Sequence, residues 1–291
     1  MTPPDDFCAL ILTHGRPDNV KTIKTLKRCG YTGPVFLVVD DEDKTLPEYR
    51  KRYGDRVITF SKSEIAARFD EADNFHDRRS IFYARNASFD IAASLGFTYF
   101  IQLDDDYSEF QIRSGTEQEF GTWNVRHLNE VFSLMLAYYQ SIPAASLCLA
   151  QGGDYLGGAE CSTHQTWTFK RKAMNTFICS TKRRFSFQGR INEDVNTYVE
   201  AGRRGLLFIT VMPLMIVQTD TQRSSGGMTE LYLDGGTYLK SFYSVMIAPS
   251  CVRIGVMGND HPRIHHNVDW KTAVPVILNE KYRKQADRNN G

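Results

Sequence analysis

This chain is poor in the features that place a protein quickly. Its 291 residues carry a formal net charge of only +1, so no overall basic field marks a nucleic-acid binder and any such contact must come from a local patch. Cys8, Cys29, Cys148, Cys161, Cys179 and Cys251 form no Cys-x-x-Cys pair, and Cys8 and Cys148 sit in apolar, strand-like runs. They read as reduced thiols in a cytosol-like compartment, without structural zinc. Apolar runs are short. Leu206 to Val217, the longest, contains Pro213 and falls below the roughly 20 residues of a spanning helix, so no membrane is expected. The first residues lack a signal peptide's basic start and apolar core, and neither an internal repeat nor a low-complexity linker divides the chain.

What is present is ordinary globular composition, 42% hydrophobic and 24% charged, with strand-like runs that end in acids. Cys8 to Thr13 is a continuous apolar strand candidate, followed by the turn His14-Gly15-Arg16-Pro17-Asp18 and a helical spacing from Val20 to Gly30. A second strand, Val35 to Val39, ends in Asp40-Asp41-Glu42-Asp43, and Val57 to Phe60 is a third. A helical pattern between Arg78 and Leu95 stops at Gly96, and Thr98 to Leu103 reads as a buried strand closed by Asp104-Asp105-Asp106. Strands alternating with helices predict an α/β fold with parallel pairing, whose ligands bind at the carboxyl edge of the sheet.

The triplet is the sharpest chemical signal. Asp104 and Asp106, two apart, point the same way if the strand continues, and together can hold one hard divalent ion through oxygen. An acidic, solvated turn fits the same residues. Beyond it the pattern loosens from Ser108 to Thr122. A helix is expected over Asn124 to Tyr139, a strand over Ala145 to Ala150, a glycine-rich loop from Gly152 to Gly158 and an edge strand from Gln165 to Phe169. Asn192-Glu193-Asp194 opens a helix to Gly202, Leu206 to Val217 is strand-like, Ser224 to Gly227 is a loop, and Thr237 to Ile247 is an amphipathic helix. One domain spanning 1–291 is expected, with a nucleotide-binding half at 1–107 and an acceptor half at 108–291.

Four separated pieces resemble the GT-A fold glycosyltransferases: Thr13-His14-Gly15-Arg16-Pro17, Arg85-Asn86 ahead of Asp104-Asp105-Asp106, Asn192-Glu193-Asp194, and Arg263-Ile264-His265-His266. The order from Asn192-Glu193-Asp194 through Gly235-Gly236-Thr237-Tyr238 and Ala248-Pro249-Ser250 to Trp270 is most similar to the TET/JBP-associated glycosyltransferases of bacteriophages. The resemblance implies a GT-A-like open, twisted, mostly parallel sheet flanked by helices, with a smaller mixed acceptor side. It implies a nucleoside-diphosphate sugar donor, a UDP-sugar foremost, with Mn2+ or Mg2+, and transfer to a hydroxymethylated pyrimidine in DNA inside an infected bacterium's cytoplasm. On this reading Asp104, Asp106 and His265 hold the metal. Thr13, Arg16, Asp40, Asp41, Arg85, Asp105, Arg263 and His266 meet the donor, and Asp194, with Glu193 second, takes the acceptor's proton.

Each assignment has a plainer counterpart. Acids in a first helical turn also serve as caps, and the late histidines also fit a surface turn. Lys170-Arg171-Lys172, Lys182-Arg183-Arg184, Arg190 and Arg203-Arg204, interleaved with Phe185, Phe187 and Trp167, suit phosphate contacts with base stacking, or simply a solvated face, with Lys182, Arg183 and Arg184 foremost. A saccharide or other non-DNA acceptor shares every donor-side residue. A nucleotidyltransferase would need a glycine-rich loop after the first strand, where His14-Gly15-Arg16-Pro17 offers one glycine. A scaffold that binds DNA without catalysis is the remaining class.

Overall fold

The computed structural model describes residues 2–72, 78–115, 120–152, 168–218, 237–257 and 263–283. Five strands and four helices make up its first part: β1 (Phe7–Leu12), α1 (Lys21–Arg28), β2 (Val35–Asp40), α2 (Leu46–Tyr53), β3 (Val57–Phe60), α3 (Lys62–Arg68), α4 (Phe82–Ser94), β4 (Tyr99–Asp104) and β5 (Tyr107–Gly115). There follow β6 (Phe120–Asn124), α5 (Leu128–Ser141), β7 (Ala144–Gln151), β8 (Phe177–Ser180), α6 (Glu193–Arg203), β9 (Leu207–Gln218), α7 (Thr237–Ile247), β10 (Val252–Met257) and β11 (Arg263–Val268).

Nine strands form one sheet in the order β3-β2-β1-β4-β8-β7-β9-β5-β6, and β10 pairs with β11 in a separate hairpin. β1 pairs in parallel with β2 and β4, β2 with β3, and β7 with β9. Within the large sheet only β8 and β5 run against the rest. The expected mixed α/β class with a large, mostly parallel sheet is observed, and strands from both halves of the chain share it.

β1 shows why its sequence is apolar without alternation. All six residues are buried: Cys8, Leu10 and Leu12 join a core with Phe82, Phe89 and Phe100, while Phe7, Ala9 and Ile11 join another with Leu26, Tyr49 and Phe132. A strand covered on both faces has no polar side to show. Each fully buried phenylalanine contributes about 2–3 kcal/mol by leaving water. These two layers fix β1 in the middle of its parallel neighbours, so the ends of β2 and β4 flank it.

Several expectations are corrected. The described parts of the stretch from Ser108 to Thr122 are regular: β5 and β6 pair antiparallel, with Tyr107 and Phe110 buried. The helix expected from Asn124 starts at Leu128, because the Val125 backbone N–H still donates to Phe110 O at 2.8 Å. β8 had no counterpart in the sequence reading, and it lies between β4 and β7 in the centre of the sheet. Of the edge strand at Gln165 to Phe169, an isolated bridge between Thr168 and Thr210 remains, residues 165–167 lying outside the described residues. The loop expectations at 153–158 and 224–227 lie outside them too, as do Gly235, Gly236, Cys161 and Trp167. The other five cysteines are free and buried. Among the described residues, no helix is long and apolar enough to cross a membrane.

Candidate active site

The register of β1 brings the acids together. Leu12 lies opposite Val38 on one side and Asp104 on the other, so the turn that starts at Thr13 passes between the ends of β2 and β4. Thr13 Oγ1 donates to Asp105 Oδ2 at 2.6 Å, and the Tyr49 hydroxyl lies 2.7 Å from the same Oγ1. The threonine has one proton to give, so Tyr49 is the donor to it. The Arg16 backbone N–H donates to the Tyr49 oxygen at 2.9 Å, and Arg16 Nη2 lies 3.3 Å from Asp105 Oδ1. Asp105 is thereby held by both Thr13 and Arg16.

On the β2 side, Asp40 has two cationic neighbours. His14 Nδ1 donates to its Oδ2 at 2.7 Å, and Lys62 Nζ, itself buried, lies 3.0 Å from its Oδ1. Asp43 accepts from the Gly15 N–H at 2.7 Å and from the Thr45 hydroxyl and N–H, while exposed Asp41 accepts from the Lys62 N–H at 2.9 Å. Burial pushes the Asp40 carboxyl up, but the His14 hydrogen bond and Lys62 outweigh it and hold the group below its ordinary value. His14 moves the other way, raised first by its hydrogen bond to Asp40.

The β4 side is built around Arg85 of α4, which is 1% exposed. Its Nη2 reaches Asp104 Oδ1 at 3.2 Å and its Nε reaches Glu193 Oε1 at 3.0 Å. Its Nη1 lies 3.4 Å from Gln102 Oε1 and from the Asn175 carbonyl, and the guanidinium sits against the rings of Phe177 and Phe187. One guanidinium therefore serves two carboxylates. Burial pushes Asp104 up to about 7, because Arg85 does not offset it and Asp106, Glu193 and Asp105 add repulsion. Asp105, Asp106 and Glu193 are raised too, each first by burial. The cluster is short of positive charge.

The sequence profile of the TET-associated glycosyltransferases matches residues 7–227. The chain belongs to this family. No curated protein matches it. Among solved structures, glucosyl-3-phosphoglycerate synthase from Mycobacterium tuberculosis, in complex with Mn2+ and UDP-glucose, aligns at a TM-score of 0.46 and 10% identity, over 90% of this chain and 86% of that one. A mannosyltransferase from Pyrobaculum calidifontis in complex with GDP-mannose and Mn2+ aligns at 0.44 and 9% identity, over 84% and 76%. A mycobacterial protein aligns at 0.47 and 12% identity, over 90% and 83%.

In this TET-associated glycosyltransferase the structure gathers Thr13, Arg16, Arg85, Asp104, Asp105, Asp106 and Glu193 in one connected region, with Asp40 and Asp41 across β1. Asp194 is buried in the first turn of α6, where its Oδ1 accepts the Val195 N–H at 2.8 Å. Arg85, expected to meet the donor, instead bridges Asp104 and Glu193 from within the core. His265 and His266 stand side by side on β11, with ring centroids 4.3 Å apart. Among the described residues no group of three His, Cys, Asp or Glu side chains is placed to hold a metal ion. His266 is lowered to about 3 by burial and by the charges of His265, Lys240 and Lys172, which places a cationic neighbourhood around it. The side chain of Arg263 lies outside the described residues, and that residue falls beyond the segment matched by the family.

The basic patch is corrected most. Ser180 pairs with Tyr99 at the start of β4, so Lys182, Arg183 and Arg184 follow at the edge opposite to Asp104, about 17 Å away along a six-residue strand. Arg183 Nη1 donates to the carbonyls of Tyr139, Ile142 and Ala144, where α5 ends. Arg184 pairs with Asp90. Phe185 and Phe187 are buried in the core and present no ring to a base. Tyr49, Lys62, Asp43 and Gln102 are the partners that sequence reasoning missed. The helix start at Thr45-Leu46-Pro47 after the Asp40 run is the signal that would have brought Tyr49 back toward β1.

Proposed function

We propose that this glycosyltransferase moves a sugar from a nucleoside-diphosphate sugar, a UDP-sugar foremost, onto a hydroxymethylated pyrimidine in DNA, with Mn2+ or Mg2+ held by Asp104 and Asp106. The observation that carries the donor side is the surplus of negative charge where buried Asp105 and Glu193 stand beside half-buried Asp104 and Asp106. Asp104, Asp105, Asp106 and Glu193 are all raised by burial, and Asp106 has no ion-pair partner among the described residues. Carboxylate oxygens at such a place suit a hard divalent cation. When bound, that ion would neutralise the charge growing on the departing diphosphate.

The chain's own residues supply the rest. Thr13 and Arg16 hold Asp105 toward the donor's ribose, and Asp40 and Asp41 line the base side at the end of β2. The acceptor's hydroxyl oxygen bonds the anomeric carbon, the nucleoside diphosphate leaves with the electron pair, and the hydroxyl proton passes to Asp194, with Glu193 second. Arg85 fixes Glu193 relative to Asp104, so donor and acceptor acids share one frame. Residues 1–107 form the donor half and 108–291 the acceptor half of one domain.

A second reading, a saccharide or other non-DNA acceptor, is supported by the position of Lys182, Arg183 and Arg184 at the edge opposite to Asp104. One experiment separates the two. The protein is incubated with Mn2+, a panel of nucleotide sugars and hydroxymethylated DNA, and digested nucleosides are weighed by mass spectrometry. A hexose or pentose increment on the modified pyrimidine supports the DNA reading; transfer to free saccharides alone supports the second.

A further inference from the structure

The start of α6 is held by a buried chain of side chains that the proposed chemistry does not use. Asn196 Nδ2 donates to two backbone carbonyls, Ile191 O at 2.9 Å and Gln188 O at 3.2 Å. Carbonyls only accept, so this fixes the amide, and Asn196 Oδ1 takes the Ser244 hydroxyl proton at 3.0 Å. A serine has no second proton. Ser244 Oγ can therefore only accept from Asn192, whose Nδ2 lies 2.5 Å away. The Asn192 amide is fixed in its turn, and its Oδ1 is left buried without a donor among the described residues.

The backbone tells the same story. Asn192 adopts φ 60° and ψ 38°, in the left-handed region that most residues with a Cβ avoid and that asparagine tolerates better than they do. It occupies the cap position of α6 yet makes no side-chain cap bond, although asparagine there ordinarily does. Its amide is given to α7 instead. Gly189 leaves room for this arrangement, since a Cβ there would come within 2.7 Å of Asn196 Nδ2. One turn before Ser244, Ser241 Oγ donates to the Ile264 carbonyl at 3.3 Å, so the helix that carries the relay also carries the β11 hairpin. A left-handed residue and a buried acceptor without a donor both cost stability, and such features persist where the surroundings over-determine a site.

We propose that Asn192 and Ser244 are positioning residues for the Glu193–Asp194 pair, through which α7 sets the rate of sugar transfer without touching the substrate. This rests on the reading of Asp194 and Glu193 as the acceptor-side acids. Neither Asn192 nor Ser244 has a hydrogen bond to Asp104, Asp105 or Arg85, so the relay reaches the donor side only through Glu193 and its ion pair with Arg85.

The test measures transfer from a nucleotide sugar by the wild type, Ser244→Ala, Asn192→Gly, the double variant, Asp194→Asn and Glu193→Gln. Each is accompanied by a melting temperature and by a count of active sites from bound nucleoside diphosphate with Mn2+. Glycine adopts the left-handed backbone freely, so Asn192→Gly isolates the relay from the strain. Ser244→Ala and Asn192→Gly are each expected to lower kcat per counted site about tenfold with donor KM within about twofold, and the double variant to be no worse than the poorer single one, since the pair acts as a unit. An unchanged kcat per counted site in Ser244→Ala, while Asp194→Asn loses activity, overturns the positioning proposal alone. So does a loss confined to the number of counted sites with a lowered melting temperature, which is what a purely structural relay would give. Full activity in both Asp194→Asn and Glu193→Gln overturns instead the reading of the acids on which the proposal stands.

Discussion

Asp40 and Asp104 occupy matching places, each closing a strand that pairs in parallel with β1, and their surroundings move them in opposite directions. Burial pushes both carboxyls up. At Asp40 the His14 hydrogen bond and Lys62 overcome it, and the group ends below its ordinary value. At Asp104 the guanidinium of Arg85 is shared with Glu193, Asp105 and Asp106 crowd in beside it, and the group ends at about 7. An apolar run followed by an acid thus has two outcomes. A fully compensated carboxylate ties a turn to the sheet, and an under-compensated one leaves negative charge that a cation would offset.

The sharpest way to break that comparison is to neutralise each acid in turn. Asp104→Asn is expected to lower metal-dependent turnover of nucleotide sugar by about 100-fold or more, the scale of losing charge stabilisation at a leaving group, whereas Asp40→Asn chiefly raises donor KM. Equal loss of kcat in both variants would end the distinction. Lys62→Met should show itself in stability: it strips a buried charge partner from Asp40, and denaturant midpoints are expected to report a loss of about 2–3 kcal/mol, below the usual range for a broken buried pair because His14 remains.

The pH dependence sharpens the same contrast. The folded pKa of Asp104 is raised above the carboxylate range, so its contribution to stability is present below its unfolded value and is lost as pH rises to about 7. Without divalent metal, melting temperatures of the wild type should fall across that window by up to about 1.4 kcal/mol equivalent per pH unit, and Asp104→Asn should flatten the slope. Asp40 runs the opposite way: its contribution is present above its unfolded value and lost as pH falls through its lowered folded value. His14, raised, contributes below its unfolded value and loses that contribution as pH rises through the folded one. The smallest effect is expected from Arg184→Gln, about 0.5 kcal/mol or less for an exposed pair with Asp90 and no change in transfer rate. A clear loss of transfer to DNA in that variant would return the basic segment to the acceptor side.

The N-terminal part, up to β4, was the more legible because its signals are local. The apolar runs of β1, β2 and β4 and the helix between them need only neighbouring residues to be read, and their acidic ends follow from the strand limits. The hairpin of β5 and β6 escaped because Glu109, Gln111, Arg113 and Thr122 interrupt any apolar run on an outer pair of strands. β8 is four residues long, too short to show a period, and only tertiary pairing gives it a place. Arg183 and Arg184 resemble any basic cluster in sequence. What distinguishes them is the end of α5 and the carboxylate of Asp90, elements far away along the chain. The convergence of Tyr49 and Lys62 on Thr13 and Asp40 is equally non-local. The positions of the acids could be read ahead of time; their partners could not.

The reversed strand β8 has a consequence for the order in which the molecule comes together. β1, β2 and β3 pair across short, local crossovers, but the β4–β8 and β5–β9 ladders join segments separated by long stretches of chain. Closing such loops costs entropy before any contact repays it, and non-local pairings slow folding. The topology therefore predicts that the Thr13–Asp40 side of the sheet assembles early. Arg85, whose partners include Glu193 and the Asn175 carbonyl, waits in the growing core for the last strand and the α6 helix to arrive.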